Sequence, residues 1–249
     1  MLVSNWHCRN PSRSKKTARV FCPGFFLAIK YPYMQTLPLW PVLMYDFQWA
    51  EHDRYQLDLR RVCYEQQAAK RTSGVAPDAK RGLYESGFDF VTIEDPAVEA
   101  FSHWVKNCFF QAAAAANARY WPKGMNVSVE IHESWCHITQ DGGYHDMHVH
   151  PNSSWSAIYY LDIGDTDVVT KNGVNRFYNP NNSMYLDAGT AWVTANTSID
   201  MAAEAGMMVI FPSWVPHSAV QYRGDRDRIV IAANCRINPM DMTSVALNI

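Results

Sequence analysis

The 249-residue sequence is poor in charge: 18% of its residues are Asp, Glu, Lys or Arg, and the formal net charge is −2. Sequence-independent binding to a phosphate backbone needs a basic field, so no nucleic-acid partner is expected. No apolar run reaches the 18 or so residues of a membrane-spanning helix, and the longest early stretch is broken by Lys30, Pro32, Pro38 and Pro41; no membrane partner is expected either. Cys8, Cys22, Cys63, Cys108, Cys136 and Cys235 include no CxxC pair and no short-spaced cluster. That pattern argues against a zinc knuckle or a disulfide framework and reads as reduced thiols in a cytoplasmic protein. A Gly-rich phosphate loop and a serine elbow are also missing. Acidic residues are missing from positions 1–35, where Arg9, Arg13, Lys15, Lys16, Arg19 and Lys30 occur. Such a start reads either as an organelle-targeting segment or as a solvated basic tail, and it is set apart from the domain that follows.

What is present is 48% hydrophobic residues, enough to bury the core of one large β-rich domain, expected over residues 36–249. The segment from Leu37 to Asp46 reads as an edge strand punctuated by prolines. From Asp53 to about Ala69, Tyr55, Leu57, Leu59, Val62, Cys63 and Ala68 recur at roughly helical spacing, and a charged, turn-rich connection follows over 71–82. Asp95-Pro96 opens a second helix with Val98, Phe101, Trp104, Val105 and Phe109 on its apolar face. It runs through the alanines 112–116, which need no reading beyond helix propensity, and stops near Trp121-Pro122. Beyond Asn126 the texture changes to short segments separated by Gly, Asn, Asp and Pro: Val127–Ile131, Trp135–Thr139, His145–His150, Ser156–Asp162, Ala191–Thr194, Met207–Phe211 and Arg228–Ala233. Many short strands at such intervals indicate a sandwich, jelly roll or small barrel, here buttressed by two helices.

Residues 145–150 read His-Asp-Met-His-Val-His. In an extended strand positions i and i+2 share a side, so Asp146, His148 and His150 are expected on one face. Two imidazoles converging from one strand supply two adjacent corners of a coordination sphere suited to Fe, Zn, Cu or Ni. The third donor is expected from His217, which follows the apolar strand Met207–Phe211 and a Pro-Ser-Trp-Val-Pro turn; a late strand returns to an early one in a wrapped architecture such as a jelly roll. Against this stands the plainer reading of three unrelated surface or loop histidines. The turn residues Gly142-Gly143-Tyr144 before the pair and Pro151-Asn152-Ser153 after it weigh for a strand mouth. His132, His137 and His145 read as core or surface histidines, and Trp135, Trp155, Trp192 and Trp214 as packing residues, with Trp155 or Trp192 alternatively lining a pocket mouth.

The ordered run His148-Val-His150-Pro-Asn-Ser, Ser156-Ala-Ile-Tyr-Tyr-Leu161, Val209-Ile-Phe-Pro-Ser-Trp-Val-Pro-His217 and Arg228-Ile-Val-Ile-Ala-Ala-Asn234 resembles the 2-oxoglutarate/Fe(II)-dependent oxygenases of marine bacteria and their phages. The resemblance spans roughly residues 36–237 and includes Leu37-Pro-Leu-Trp-Pro-Val and Tyr84-Glu-Ser-Gly-Phe. It implies a mainly β protein: a double-stranded β-helix with N-terminal supporting helices, Fe(II) at the mouth between two sheets, and 2-oxoglutarate and O2 as cosubstrates. A small-molecule or peptide substrate is expected, with C–H hydroxylation as the default outcome and a homo-oligomer allowed. The superfamily's basic residue some ten positions after the distal histidine is filled by Arg228, whose planar fork suits the far carboxylate of 2-oxoglutarate; Arg223 and Arg226 compete for that role. Tyr160, Tyr159 and Asn152 are the other candidate cosubstrate contacts. One departure is plain. The superfamily pairs His-x-Asp or His-x-Glu with a distal His, whereas this chain has His148-x-His150, leaving Asp146 as an alternative carboxylate ligand. Two rival functions follow from the residues alone: a three-His cupin-like metal dioxygenase or isomerase without 2-oxoglutarate, and a non-catalytic β-sandwich binding module. Residues 163–190 are expected to form either a mobile lid or a hairpin carrying further strands.

Overall fold

A computed structural model describes residues 41–72, 82–180 and 197–240. The basic segment 1–35, the start of the expected edge strand, the expected strand Ala191–Thr194 and Trp192 lie outside them.

The order is β1 (Tyr45–Gln48), α1 (His52–Thr72), β2 (Leu83–Glu85), a 3-10 turn (Phe90–Thr92), α2 (Pro96–Asn117), β3 (Val127–Thr139), β4 (His145–His148), β5 (Trp155–Asp162), β6 (Asn175–Tyr178), β7 (Ser198–Asp200), β8 (Met207–Pro212), β9 (His217–Ala219) and β10 (Arg228–Pro239). The major sheet has the order β1-β8-β5-β10-β3-β2 and the minor sheet β4-β9-β6-β7, all pairs being antiparallel. From β3 onward the chain passes back and forth between the sheets, β3 major, β4 minor, β5 major, β6 and β7 minor, β8 major, β9 minor, β10 major. That winding is the expected double-stranded β-helix.

The helices form because their apolar residues repeat at helical spacing, and α2 starts where its sequence says it should. Asp95 accepts a hydrogen bond from the Ala97 N–H at 2.8 Å, Pro96 occupies the first turn, and Arg61 of α1 clamps the same carboxylate at 2.6 Å. Both helices cover the outer face of the major sheet.

Strand alternation sorts the two faces of that sheet. On β5, Ala157, Tyr159 and Leu161 pack toward the helices, while Ile158 and Tyr160 face the space between the sheets. On β10, Ile229, Ile231, Ala233 and Cys235 join the helix-side core, and Val230 joins Phe177 of the minor sheet on the other side. Both strands therefore carry a continuous apolar run, residues 157–161 in β5 and 229–233 in β10, which makes them easy to find by hydrophobicity. The minor sheet is built from three- and four-residue strands such as Asn-Arg-Phe-Tyr and Ser-Ile-Asp; β7, β9 and the short β2 were not expected, and β6 only as part of the hairpin alternative for 163–190. The two segments expected over 127–131 and 135–139 are one strand with a register shift opposite Asn234/Cys235. In the described part of 163–190, β6 supports the hairpin alternative over the lid; 181–190 lie outside.

Candidate metal centre

His148 and His217 are direct cross-strand partners in the β4–β9 pair, so the backbone register itself brings them together. Their ring centres are 4.3 Å apart. The expected strand 145–150 stops at His148, and a ladder irregularity lies between His145 and His148. His150 thus enters from the following turn, held by its backbone N–H to the Ser213 carbonyl at 2.9 Å, rather than by strict alternation. Its ring still lies 5.0 Å from His148 and 5.1 Å from His217, centre to centre, and one donor nitrogen from each of the three falls within 4.8 Å of the others.

The tautomers are set by backbone carbonyls. His217 Nδ1 is 3.0 Å from the Val215 carbonyl oxygen and His148 Nδ1 is 2.7 Å from that of Asp146. A carbonyl only accepts, so both Nδ1 atoms donate and both Nε2 lone pairs are left for a metal. Burial first, then the neighbouring His148, lowers His217 to about 3 and His150 to about 4. At neutral pH both rings are the neutral form that a cation requires.

Asp146 is corrected. Its side chain is exposed and falls outside the donor cluster; what it contributes is the backbone carbonyl that orients His148. The cluster within donor range is three-histidine.

His148, His150 and His217 line one pocket, with a cavity volume of about 40 Å³. Arg228 sits in its wall, 2% exposed. Its Nη2 donates to Asn175 Oδ1 at 2.6 Å, and its Nε is buried without a partner. No carboxylate among the described residues pairs with it: the adjacent Asp227 accepts instead from Tyr64 at 2.9 Å and Gln140 at 3.0 Å. Burial pulls the guanidinium below its usual pKa. Next to it, with the cation 5.8 Å from the ring centre, Tyr160 has a fully buried hydroxyl that also lacks a partner. A buried cation and a buried hydroxyl, both short of an acceptor, fit an anion whose far carboxylate reaches this end of the pocket. The competitors are committed elsewhere, Arg223 to Asp141 at 3.2 Å and Arg226 to Asp165 at 3.0 Å, both at the surface.

Two expected contacts are corrected. Tyr159 points through the sheet to the helix side, where its hydroxyl shares a 2.6 Å hydrogen bond with His52 Nδ1 among Trp49, Phe101 and Trp104. Adjacent strand residues face opposite ways, so of Tyr159 and Tyr160 only Tyr160 faces the space between the sheets. Asn152 is an exposed turn residue with φ of 63°, and its carbonyl accepts from Arg236. Tyr159→Phe should lower stability by about 1 kcal/mol through the lost buried hydrogen bond and leave 2-oxoglutarate affinity unchanged, as read by denaturant melts and ligand titration. A changed affinity would put Tyr159 back in the site.

Sequence reasoning missed Asn175, which lies on a strand expected only within the hairpin alternative and carries no motif. It also took Trp135 as packing and His137 and His145 as incidental, although all three line the pocket; alternation of Trp135, His137 and Thr139 along β3 was the available signal. Trp155 packs in the helix-side core and Trp214 is exposed, so neither lines the mouth. His132 is bonded to Ser153 at 2.9 Å, away from the cluster.

A double-stranded β-helix with a histidine cluster between its sheets and, behind it, a buried arginine without a carboxylate partner among the described residues is an arrangement that suits a metal ion and an anionic ligand. Residues 133–234 match the family described as "Putative 2OG-Fe(II) oxygenase". No curated protein matches the chain. Among solved structures, the prolyl-4-hydroxylase of Pseudomonas putida is 17% identical, with a TM-score of 0.50 over 78% of this chain and 92% of that one. AviO1 of Streptomyces viridochromogenes is 14% identical, with a TM-score of 0.51 over 77% and 88%. The non-heme alpha-ketoglutarate-dependent carbocyclase SnoK of nogalamycin biosynthesis is 10% identical, with a TM-score of 0.54 over 78% and 79%. These likenesses are of fold. Together with the family match over the very segment that carries the three histidines and Arg228, they support a 2-oxoglutarate/Fe(II) oxygenase.

Proposed function

We propose that this protein hydroxylates a C–H bond of a small molecule or peptide, with Fe(II) held by His148, His150 and His217 and the far carboxylate of 2-oxoglutarate held by Arg228. The observation that carries the proposal is the buried Arg228 with no carboxylate partner among the described residues, in the wall of the same pocket as the histidines. A cupin-like metal dioxygenase or a binding module has no use for such a cation, and leaving it unpaired is costly.

Fe(II), with 2-oxoglutarate and O2, supplies the oxidation: substrate C–H becomes C–OH while 2-oxoglutarate loses CO2 and becomes succinate. The chain's own residues bind and orient. The Val215 and Asp146 carbonyls fix the His217 and His148 rings with Nε2 forward. Asn175 holds the Arg228 fork in position, and Tyr160 offers an O–H to the same carboxylate. Phe211 packs edge-on against His217 at 4.7 Å and Trp135 lies 5.5 Å from His150, so apolar rings exclude water from the donors. No side chain is required as a nucleophile. The reading takes 36–249 as the catalytic domain with 1–35 as an appended basic segment. A cytoplasmic setting is supported by four buried free thiols, Cys63, Cys108, Cys136 and Cys235; no helix among the described residues is long and apolar enough to cross a membrane.

The test is anaerobic addition of 2-oxoglutarate to the Fe(II)-loaded protein, followed by exposure to O2. A visible chelate absorption band and 2-oxoglutarate-dependent succinate are expected. Iron binding without either would favour the cupin-like enzyme, and no metal binding at all would leave the binding module.

A further inference from the structure

Beside the three histidines lies a second group with ligand chemistry, made of residues that the oxygenase reading leaves unused. Glu85 on β2 and His137 on β3 are direct cross-strand partners, and His145 opens β4. Glu85 Oε2 is 2.6 Å from His137 Nε2 and 3.9 Å from His145 Nε2. The two imidazoles stack with centres 5.5 Å apart and planes 29° from parallel, and one donor atom from each of the three residues lies within 4.8 Å of the others. His137 and His145 line the same pocket as the first cluster, and the His145 ring centre is 4.2 Å from that of His148.

We propose that Glu85, His137 and His145 form a second divalent-cation site in the pocket wall, next to the three-histidine site and distinct from it.

Two imidazoles and a carboxylate are the donor set of zinc and of neighbouring first-row cations. Such a cation sits about 2.0–2.2 Å from each donor, which places the donors roughly 3 to 3.6 Å apart. The separations of 2.6 and 3.9 Å bracket that range, so small side-chain adjustments complete the site. His137 Nε2 faces two competing demands. Trp135 Nε1–H donates to His137 Nε2 at 3.1 Å, yet the Glu85 oxygen 2.6 Å from that nitrogen calls for a proton on it, and one nitrogen cannot accept and donate at once. A salt bridge would also need only one histidine, whereas two strands each deliver one to the same carboxylate. With a cation in place, its charge replaces the proton shared by Glu85 and His137. Three protein donors leave positions open, and because two of the three line the pocket, those positions suit an oxygen donor of its occupant. The substrate class this implies carries an anionic oxygen group, a carboxylate or phosphate, to one side of the iron.

The experiment uses the full chain, stripped of metal and titrated anaerobically with Co²⁺, with bound equivalents measured by dialysis and metal analysis and the ligand field read from visible absorption. Two equivalents are expected in the parent. Glu85→Gln and His137→Gln should each lose one equivalent and one set of absorption bands, His217→Ala should lose the other, and the double variant Glu85→Gln/His217→Ala should bind none. A single equivalent in the parent, or two retained in folded Glu85→Gln and His137→Gln, overturns the proposal. If His217→Ala keeps both equivalents while Glu85→Gln loses one, the three-histidine reading fails and the second site stands. Where a variant does not fold, the parent stoichiometry still decides.

Discussion

Replacing His217 by alanine should lower the iron bound per chain by about one equivalent, the one held by the three histidines. His217 is 3% exposed, so nothing from solvent side chains can substitute for it, and two remaining imidazoles do not hold a divalent cation against buffer. His148→Ala should do the same, because its ring faces His217 across the β4–β9 pair. The full metal content of the parent retained in both purified variants would overturn the ligand assignment. His150→Asp is more informative than His150→Ala, since it recreates the His-x-Asp pattern of the wider superfamily. Three neutral imidazoles leave Fe(II) its full double charge; one aspartate cancels half of it. We expect His150→Asp to keep iron while binding the dianion 2-oxoglutarate more weakly than the parent does. His150→Ala, with one donor fewer, should lose most of its iron, and Asp146→Ala should lose none.

Arg228 should separate cosubstrate from metal. A charge-assisted hydrogen bond contributes about 2–3 kcal/mol, so Arg228→Ala should weaken 2-oxoglutarate by roughly thirty- to a hundredfold or more with iron content unchanged. Arg228→Lys should fall between, because the charge remains while the planar fork is lost. The stability of the protein without ligands supplies a second reading. The parent carries a desolvated guanidinium with one unmatched nitrogen, so Arg228→Met, apolar and of similar length, should leave the melting temperature unchanged or raised. A ligand at a hundred times its Kd adds about 2.7 kcal/mol, which for a chain of this size is a Tm shift of roughly 5–10 °C. The parent should show that shift with 2-oxoglutarate, and Arg228→Met should not. Unchanged affinity in Arg228→Ala would remove the anchor from this position.

What the sequence made legible follows from how each residue is held. β5, β8 and β10 are buried on both faces and read as apolar runs; α2 announces itself through Asp95-Pro96. The histidine cluster proposed to hold the metal was legible as a group because one pair is close in sequence and the third member follows a strong strand signal. The minor sheet was not, because strands of three or four residues with at most one buried apolar side chain, such as Phe177 in β6, give hydrophobic alternation nothing to repeat. Asn175 was lost with it. Which of Tyr159 and Tyr160 faces the space between the sheets depends on which face the helices cover, a tertiary fact that alternation narrows to two choices without choosing. Glu85 and His137 are 52 residues apart and meet only through the β2–β3 register, for which a three-residue strand carries no signal.

Strand β10 has a further consequence. Ile229 and Ile231 lock into the layer beneath the helices, and Arg228 and Val230 between them reach the opposite side. A pleated strand is one rigid ruler with two printed edges. The guanidinium therefore takes its position from hydrophobic packing on the far side of the sheet, and its accuracy is borrowed from the core rather than made at the site. Helix packing and the proposed hold on the cosubstrate thus meet in one strand, and a substitution that shifts β10 in the core would shift the guanidinium with it.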